Sequence, residues 1–279
     1  MPPRVVPPRL HAILARESDR AIVVARVRAT LTCTVGWDRR RDAFEVGQWV
    51  KARVYEARCD LSPDGVHFVY FAFDGRRVAR GESEAYTAVS RTPHLKAVAF
   101  WPFDDTWYGG GLFLDDRTLW ARGAEGRSPT SRFRVVATAP GATSPTTEDR
   151  GVYYPRLRRD GWTKTGQTTI GTKGHHDVGV FEKPAGHGLV LVKHHHGTAG
   201  PRREGRGCYY EEHTLVARDG TRTERPDWEW ADVDAPRRRV VYASGGRLWA
   251  APVTRSGLGD ARCLFDATTL QYASIEAPY

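Results

Sequence analysis

The feature that most constrains this chain is a strand–turn–strand unit that recurs at steps of roughly 40–50 residues, the period of a four-stranded propeller blade. Each unit has a short apolar strand with an aromatic near its middle, a tight turn and a second strand. Leu112-Phe113-Leu114, the turn Asp115-Asp116-Arg117-Thr118 and Leu119-Trp120-Ala121 match Val241-Tyr242-Ala243, Ser244-Gly245-Gly246-Arg247 and Leu248-Trp249-Ala250 position for position in type. Val69-Tyr70-Phe71-Ala72 precedes Asp74-Gly75, and Val152-Tyr153-Tyr154 precedes Asp160-Gly161. Ile22–Ala25 and Leu189–Val192 are aliphatic versions, so the centres fall near residues 24, 70, 113, 153, 190 and 242. Period-2 alternation repeats while long stretches of 3.6-residue period do not occur. A small sheet cannot bury both faces alone, so the units are expected to stack. The pattern predicts an all-β chain: a β-propeller of five or six four-stranded antiparallel blades, as a single domain over residues 1–279. Leu270–Ile275 alternates as a final strand, expected to join the sheet begun near Leu10–Leu14.

Composition narrows the function classes. No apolar run is long enough for a membrane helix. The basic start Met1–Arg9 is followed by no apolar segment of export-signal length, so a cytoplasmic monomer is expected. Cys33, Cys59, Cys208 and Cys263 are widely separated and read as small hydrophobes rather than a disulfide framework. The net charge of +9 comes from 36 Arg against 6 Lys. Two clusters, Arg156/Arg158/Arg159 and Arg237-Arg238-Arg239, read as solvated loop charge. Binding of nucleic acid or another anionic ligand through dispersed Arg is the alternative. Residues 139–150 and 197–207, rich in Pro, Gly, Ser, Thr or Arg, read as long surface loops.

Leu61-Ser62-Pro63-Asp64-Gly65 is a turn feeding the aromatic run His67–Ala72. It resembles the repeat signature of bacterial TolB-type and WD40-like propellers, where the Ser-Pro-Asp-Gly turn joins the innermost strand to the next. The chain as a whole is similar to a bacterial β-propeller family, through Gly36–Arg39, Gly47-Gln48-Trp49, Arg58-Cys59-Asp60, Trp228–Asp232 and Glu276–Tyr279. The resemblance implies the propeller fold and brings no activity and no site residue with it.

Candidate chemistry comes from residues that break the repeat. Six of the ten histidines lie between His175 and His196. His194 and His196 share one face of a strand, and with a third ligand from His176, Asp177 or His187, His176 foremost, they form a candidate zinc set. Asp38, Asp104, Asp105, Asp115, Asp116, Glu229, Asp232 and Asp234 lie near aromatics and are the carboxylates a glycosidase would draw on, although those in turns are explained by turn-making. Ser62 is likewise a turn residue rather than a nucleophile. Trp120 and Trp249, equivalent in the repeat, are expected in the core. The unrepeated Trp37, Trp107 and Trp162, with Trp228, are candidate binding anchors. The reading these observations favour is a binding or scaffold module that takes a protein or peptide partner on a propeller face or axial pocket. The alternative is a hydrolase, glycosidase-like or metal-dependent, with its site in the axial channel.

Overall fold

A computed structural model describes residues 6–139, 150–170, 176–197 and 209–279, with the side chains of residues 169, 170 and 176 outside that set. The chain divides into two compact units. The larger comprises His11–Asp160 with Gln271–Tyr279, and the smaller comprises Met1–Leu10 with Gly161–Leu270.

The fold is all-β, and its sheets form from strands close in sequence. The first holds β1 (Arg9–Leu14), β2 (Arg20–Arg28), β3 (Leu31–Asp38) and β4 (Ala43–Val50) in that order. The second holds β5 (Arg53–Val54), β6 (Asp60–Leu61), β7 (His67–Phe73), β8 (Ala85–Arg91) and β9 (Ala97–Phe103). The third holds β10 (Gly111–Phe113), β11 (Thr118–Ala121) and β12 (Arg134–Val135), the last pairing in parallel. A helix, α1 (Arg150–Arg159), follows. In the smaller unit the fourth sheet orders β13 (Thr163–Ile170), β14 (His176–Gly186), β15 (Leu189–Gly197), β16 (Tyr210–Val216) and β17 (Arg222–Arg225). The fifth contains β18 (Trp230–Asp234), β19 (Arg239–Ser244), β20 (Arg247–Thr254), β21 (Gly257–Leu258) and β22 (Arg262–Asp266). Five of the six expected centres thus fall one to a sheet, in β2, β7, β10, β15 and β19, and the sheets hold three to five strands rather than a uniform four.

Burial follows the alternation. On β7, Phe68, Tyr70 and Ala72 pack with Ile22 and Val24 of the first sheet. Val69, on the opposite face, packs with Val89, Phe113 and Leu119, which reach into the third sheet. The second sheet is therefore apolar on both sides. The outer face of the third sheet, Leu112 and Trp120, is covered by Val152 of α1. In the repeat hairpins Leu112 faces Trp120 and Tyr242 faces Trp249 in register. Trp120 is buried as expected; Trp249 is only half-buried and lies parallel to Tyr242 at 6.5 Å. Cys33 lies in the core, where burial pushes its thiol up to about 12.

Three expectations are corrected. Val152-Tyr153-Tyr154 lies in α1 and not in a strand. A helix puts Arg156 and Arg159, three apart, on one face. Arg156 then donates to the carbonyls of Glu56 and Cys59, and Arg159 grips Asp60 at 2.6 and 2.7 Å. A strand would point the two guanidiniums to opposite faces. Leu270–Ile275 forms no strand: a 3₁₀ turn at Ala267–Thr269 ends the regular structure, and the residues that follow join no helix or sheet. The arginine clusters are not uniformly solvated, since Arg156 is buried and Arg239 is buried on Asp234 at 2.9 Å. The loops expected at 139–150 and 197–207 lie almost wholly outside the described residues, as does His175. No helix among the described residues is long and apolar enough to cross a membrane.

Candidate functional site

The Ser-Pro-Asp-Gly turn is closed by its own side chains. Ser62 Oγ donates to Asp64 Oδ1 at 2.5 Å and accepts from the His67 amide at 2.8 Å. Gly65 adopts φ 74°, and a Cβ there would lie 2.6 Å from that of Arg20. Burial works to raise the Asp64 carboxyl, yet hydrogen bonds from the Ser62 hydroxyl and the Val66 amide hold it below its ordinary value. Four of the other suspected carboxylates are likewise engaged within the fold. Asp115 accepts from the amides of Arg117 and Thr118, Asp105 from that of Trp107, and Asp116 from that of Asp64. Asp232 pairs with Lys183 at 2.7 Å.

A groove of about 390 Å³ opens in the larger unit at the ends of β2, β3 and β4. Its lining includes Arg20, Trp37, Phe44, Glu45, Thr92 and Pro93. Trp37 and Phe44, opposite one another in register, stack at 5.6 Å with 11° between planes. Trp37 Nε1 donates to Asp42 Oδ1 at 3.2 Å. Arg20 and Glu45 place opposite charges at the exposed rim.

The wall formed by the turn between β8 and β9 is fixed from several directions. Thr34 Oγ1 donates to the Pro93 carbonyl at 2.5 Å. Gln48 Oε1 accepts from the amides of Leu95 and Lys96 at 2.8 and 2.9 Å. Two glycines leave room for the turn. A Cβ at Gly36 would sit 3.2 Å from Pro93 Cβ, and one at Gly47 would collide with the Pro93 carbonyl.

The same turn, together with the end of β4 and Lys51, holds segment 271–279. The Gln48 amide donates to the Ile275 carbonyl at 2.7 Å. Tyr272 sits edge-on to Trp49 at 5.8 Å, under the Lys51 ammonium at 5.2 Å. The Tyr279 hydroxyl accepts from the Arg91 amide at 2.9 Å and donates to the Lys96 carbonyl at 2.9 Å. Its ring stands edge-on to His94 at 6.2 Å, with the Arg91 guanidinium 5.0 Å from its centroid. Burial raises the Tyr279 hydroxyl above its ordinary value, so it is the protonated phenol that makes these bonds at neutral pH.

Of the four candidate tryptophans, Trp37 alone lies in the groove lining, where it is 2% exposed and stacked on Phe44. Trp107 is 64% exposed on the loop after β9. Trp162 and Trp228 belong to the smaller unit and are buried. Lys193 and Lys183 approach the Trp162 ring at 5.0 and 5.7 Å, and Trp228 stacks on Tyr242 at 4.0 Å, so both rings are taken up by internal contacts. His194 and His196 do share a face of β15, in register with Glu212 and Tyr210 of β16. His196 Nε2 lies 3.1 Å from Glu212 Oε2 and its ring stacks on Tyr210 at 4.3 Å. The His176 side chain lies outside the described residues. Among the described residues no group of three or more His, Cys, Asp or Glu is arranged to hold a metal ion.

Sequence reasoning missed Gln48, Thr92, Pro93, Lys96, Tyr272 and Tyr279. A Pro two residues beyond an alternating strand marks the turn. Nothing local marks its contact with a tyrosine 188 residues away. Two segments that carried the family resemblance, Gly47–Trp49 and Glu276–Tyr279, meet at this turn.

No family model and no curated protein matches the chain. Among solved structures, it is similar to a Ser-to-Ala variant of the AtxE2 isopeptidase with astexin3-dC4 bound, at 12% identity and a TM-score of 0.39. That alignment covers 94% of this chain and 53% of the other, so the chain spans about half the length of the structure it matches.

Proposed function

We propose that this chain is a binding module that takes an extended polypeptide in the groove between the β2–β4 strand ends and the Thr92–Pro93 turn. The observation that carries the reading is the groove's fixed wall. Thr34, Gln48, Gly36 and Gly47 lock the turn in place before any ligand arrives, which lowers the ordering cost of binding. The lining suits a peptide backbone with mixed side chains: the Phe44 ring for an apolar residue, Thr92 for a polar group, and Arg20 and Glu45 for charges of opposite sign. The supporting frame is a β-propeller of TolB or WD40-like type. What supports this is that each sheet is built of strands near in sequence, and that three sheets stack face to face in the larger unit.

Selection from a displayed peptide library against the purified chain tests the reading. Selected peptides are expected to lose at least about tenfold in affinity on Arg20→Glu and on Phe44→Ala, equivalent to about 1.4 kcal/mol. Failure to select any peptide, or peptides indifferent to both substitutions, would overturn it.

A further inference from the structure

Segment 271–279 belongs to the larger unit and lies outside any helix or sheet ladder. From Ile275 on, its residues alternate: Ile275, Ala277 and Tyr279 are half-buried while Glu276 and Pro278 are exposed. That is the period of a peptide laid on a surface with every second side chain inward. Its anchors are few and come from side chains or turn backbone. They are the Gln48 amide on the Ile275 carbonyl, the Trp49 and Lys51 contacts with Tyr272, and the Arg91, His94 and Lys96 cage around Tyr279. Lys96 Nζ also donates to the Tyr279 carbonyl oxygen. Three cations, Lys51, Arg91 and Lys96, thus face two tyrosine rings at 5.0 to 5.6 Å.

We infer that segment 271–279 is a tethered occupant of a peptide-recognition surface made by Gln48, Trp49, Lys51 and the Arg91–Lys96 turn, and that this surface, once vacated, takes in trans an extended peptide of the same pattern: a tyrosine, an aliphatic residue three positions on, a small residue two further, and a second tyrosine two beyond that. The inference deepens the peptide-binding reading and rests on it, since both use the turn that Gln48 and Thr34 hold. A tethered ligand competes at an effective concentration on the order of mM, so it masks the surface from a free peptide of ordinary affinity. The recognition is specific for tyrosine at the last position. Only a hydroxyl that both donates and accepts meets the Arg91 amide and the Lys96 carbonyl together.

The test is fluorescence anisotropy with a labelled synthetic peptide of sequence Gln271–Tyr279, titrated with the full chain and with a chain ending at Leu270. The shortened chain is expected to bind saturably, and the full chain at least about tenfold more weakly. A peptide with Phe in place of the last tyrosine is expected to bind the shortened chain at least about 5-fold more weakly, the low end for losing two hydrogen bonds. Circular dichroism establishes that the shortened chain is folded. If it is not, the full chain with Tyr272→Ala and Tyr279→Ala replaces it and is expected to bind the peptide better than the unaltered chain does. No binding to a folded, vacated surface overturns the inference, as does equal binding by the full and vacated chains. Library-selected peptides that still depend on Arg20 and Phe44 would leave the groove reading standing, so the two failures are separable.

Discussion

Helix α1 and segment 271–279 both attach to the larger unit without joining a sheet, and they do so by opposite means. α1 is held by guanidiniums driven inward. Arg156 Nη2 meets His11 Nε2 at 2.8 Å, and Arg159 forms a two-pronged pair with Asp60, whose side chain has no exposure. Segment 271–279 is held by phenol rings and single hydrogen bonds at the surface, with Tyr272 54% exposed. Charges taken out of water leave a large penalty behind when a partner is lost, whereas surface groups simply return to solvent. The first mode suits a permanent strut, and the second suits a ligand that leaves and returns.

The sharpest way to break this contrast is Arg159→Ala. It strands the Asp60 carboxylate, whose remaining contacts include the Phe113 amide at 2.7 Å. Removing one partner of a buried pair costs about 3–5 kcal/mol, read as a drop in urea midpoint. A loss under about 1 kcal/mol would mean that apolar packing by Val152 and its neighbours, not charge, fixes the helix.

Next in size is Gly47→Ala. Its methyl meets the Pro93 carbonyl, and forced overpacking of this kind costs about 1–3 kcal/mol. The substitution displaces the turn that holds segment 271–279 and leaves the α1 anchors untouched. Limited proteolysis is therefore expected to cleave 271–279 faster while α1 keeps its protection. Unchanged cleavage would show that the segment does not depend on the turn.

How much of this was legible in the sequence follows from the range of each signal. The hairpins were readable because turn chemistry and alternation are local: Ser62 to Gly65 closes its own turn, and Tyr242 meets Trp249 across a two-residue connection. Val152-Tyr153-Tyr154 is apolar in either conformation. Asp60 and the 3₁₀ turn at Glu56–Arg58, about a hundred residues earlier, decide for helix by offering Arg156 and Arg159 their acceptors. The alternation read over Leu270–Ile275 predicts a sheet partner, yet these residues join no ladder, and Gln48 holds the Ile275 carbonyl instead. Trp37 lies in the groove lining, itself 2% exposed and stacked on Phe44. Trp162 and Trp228 are buried as well, and ring faces taken up by lysines and by Tyr242 cannot be read from residue type alone.

A pH experiment sharpens the α1 side. Burial raises the Asp160 carboxyl above its ordinary value; the Arg159 charge opposes that and the Asp60 charge adds to it. The folded chain therefore holds this proton to higher pH than the unfolded chain does. Between the ordinary carboxylate value, about 3.9, and the raised one, the folded state binds more protons, so this group's contribution to stability falls as pH rises. Asp160→Asn is expected to flatten that fall in a stability–pH profile and to cost far less at neutral pH than Arg159→Ala. A cost equal to that of Arg159→Ala would make Asp160, not Asp60, the partner that matters.

The smallest expected effect lies on the 271–279 side, and its smallness is the point. Tyr272→Ala removes an edge contact with Trp49 and an exposed cation–π contact with Lys51, each of a kind worth about 0.5–1 kcal/mol. Because both groups return to water when parted, the global unfolding midpoint is expected to move by less than that energy implies, while local exposure of 271–279 rises several-fold. Two readouts separate them: limited proteolysis cuts 271–279 faster, while the hydrogen-bonded amides of β7 and β8 keep their exchange rates. If Tyr272→Ala instead lowers protection throughout the larger unit, the segment is a strut like α1. The surface beneath it would then be core, and the energetic difference between the two attachments would disappear.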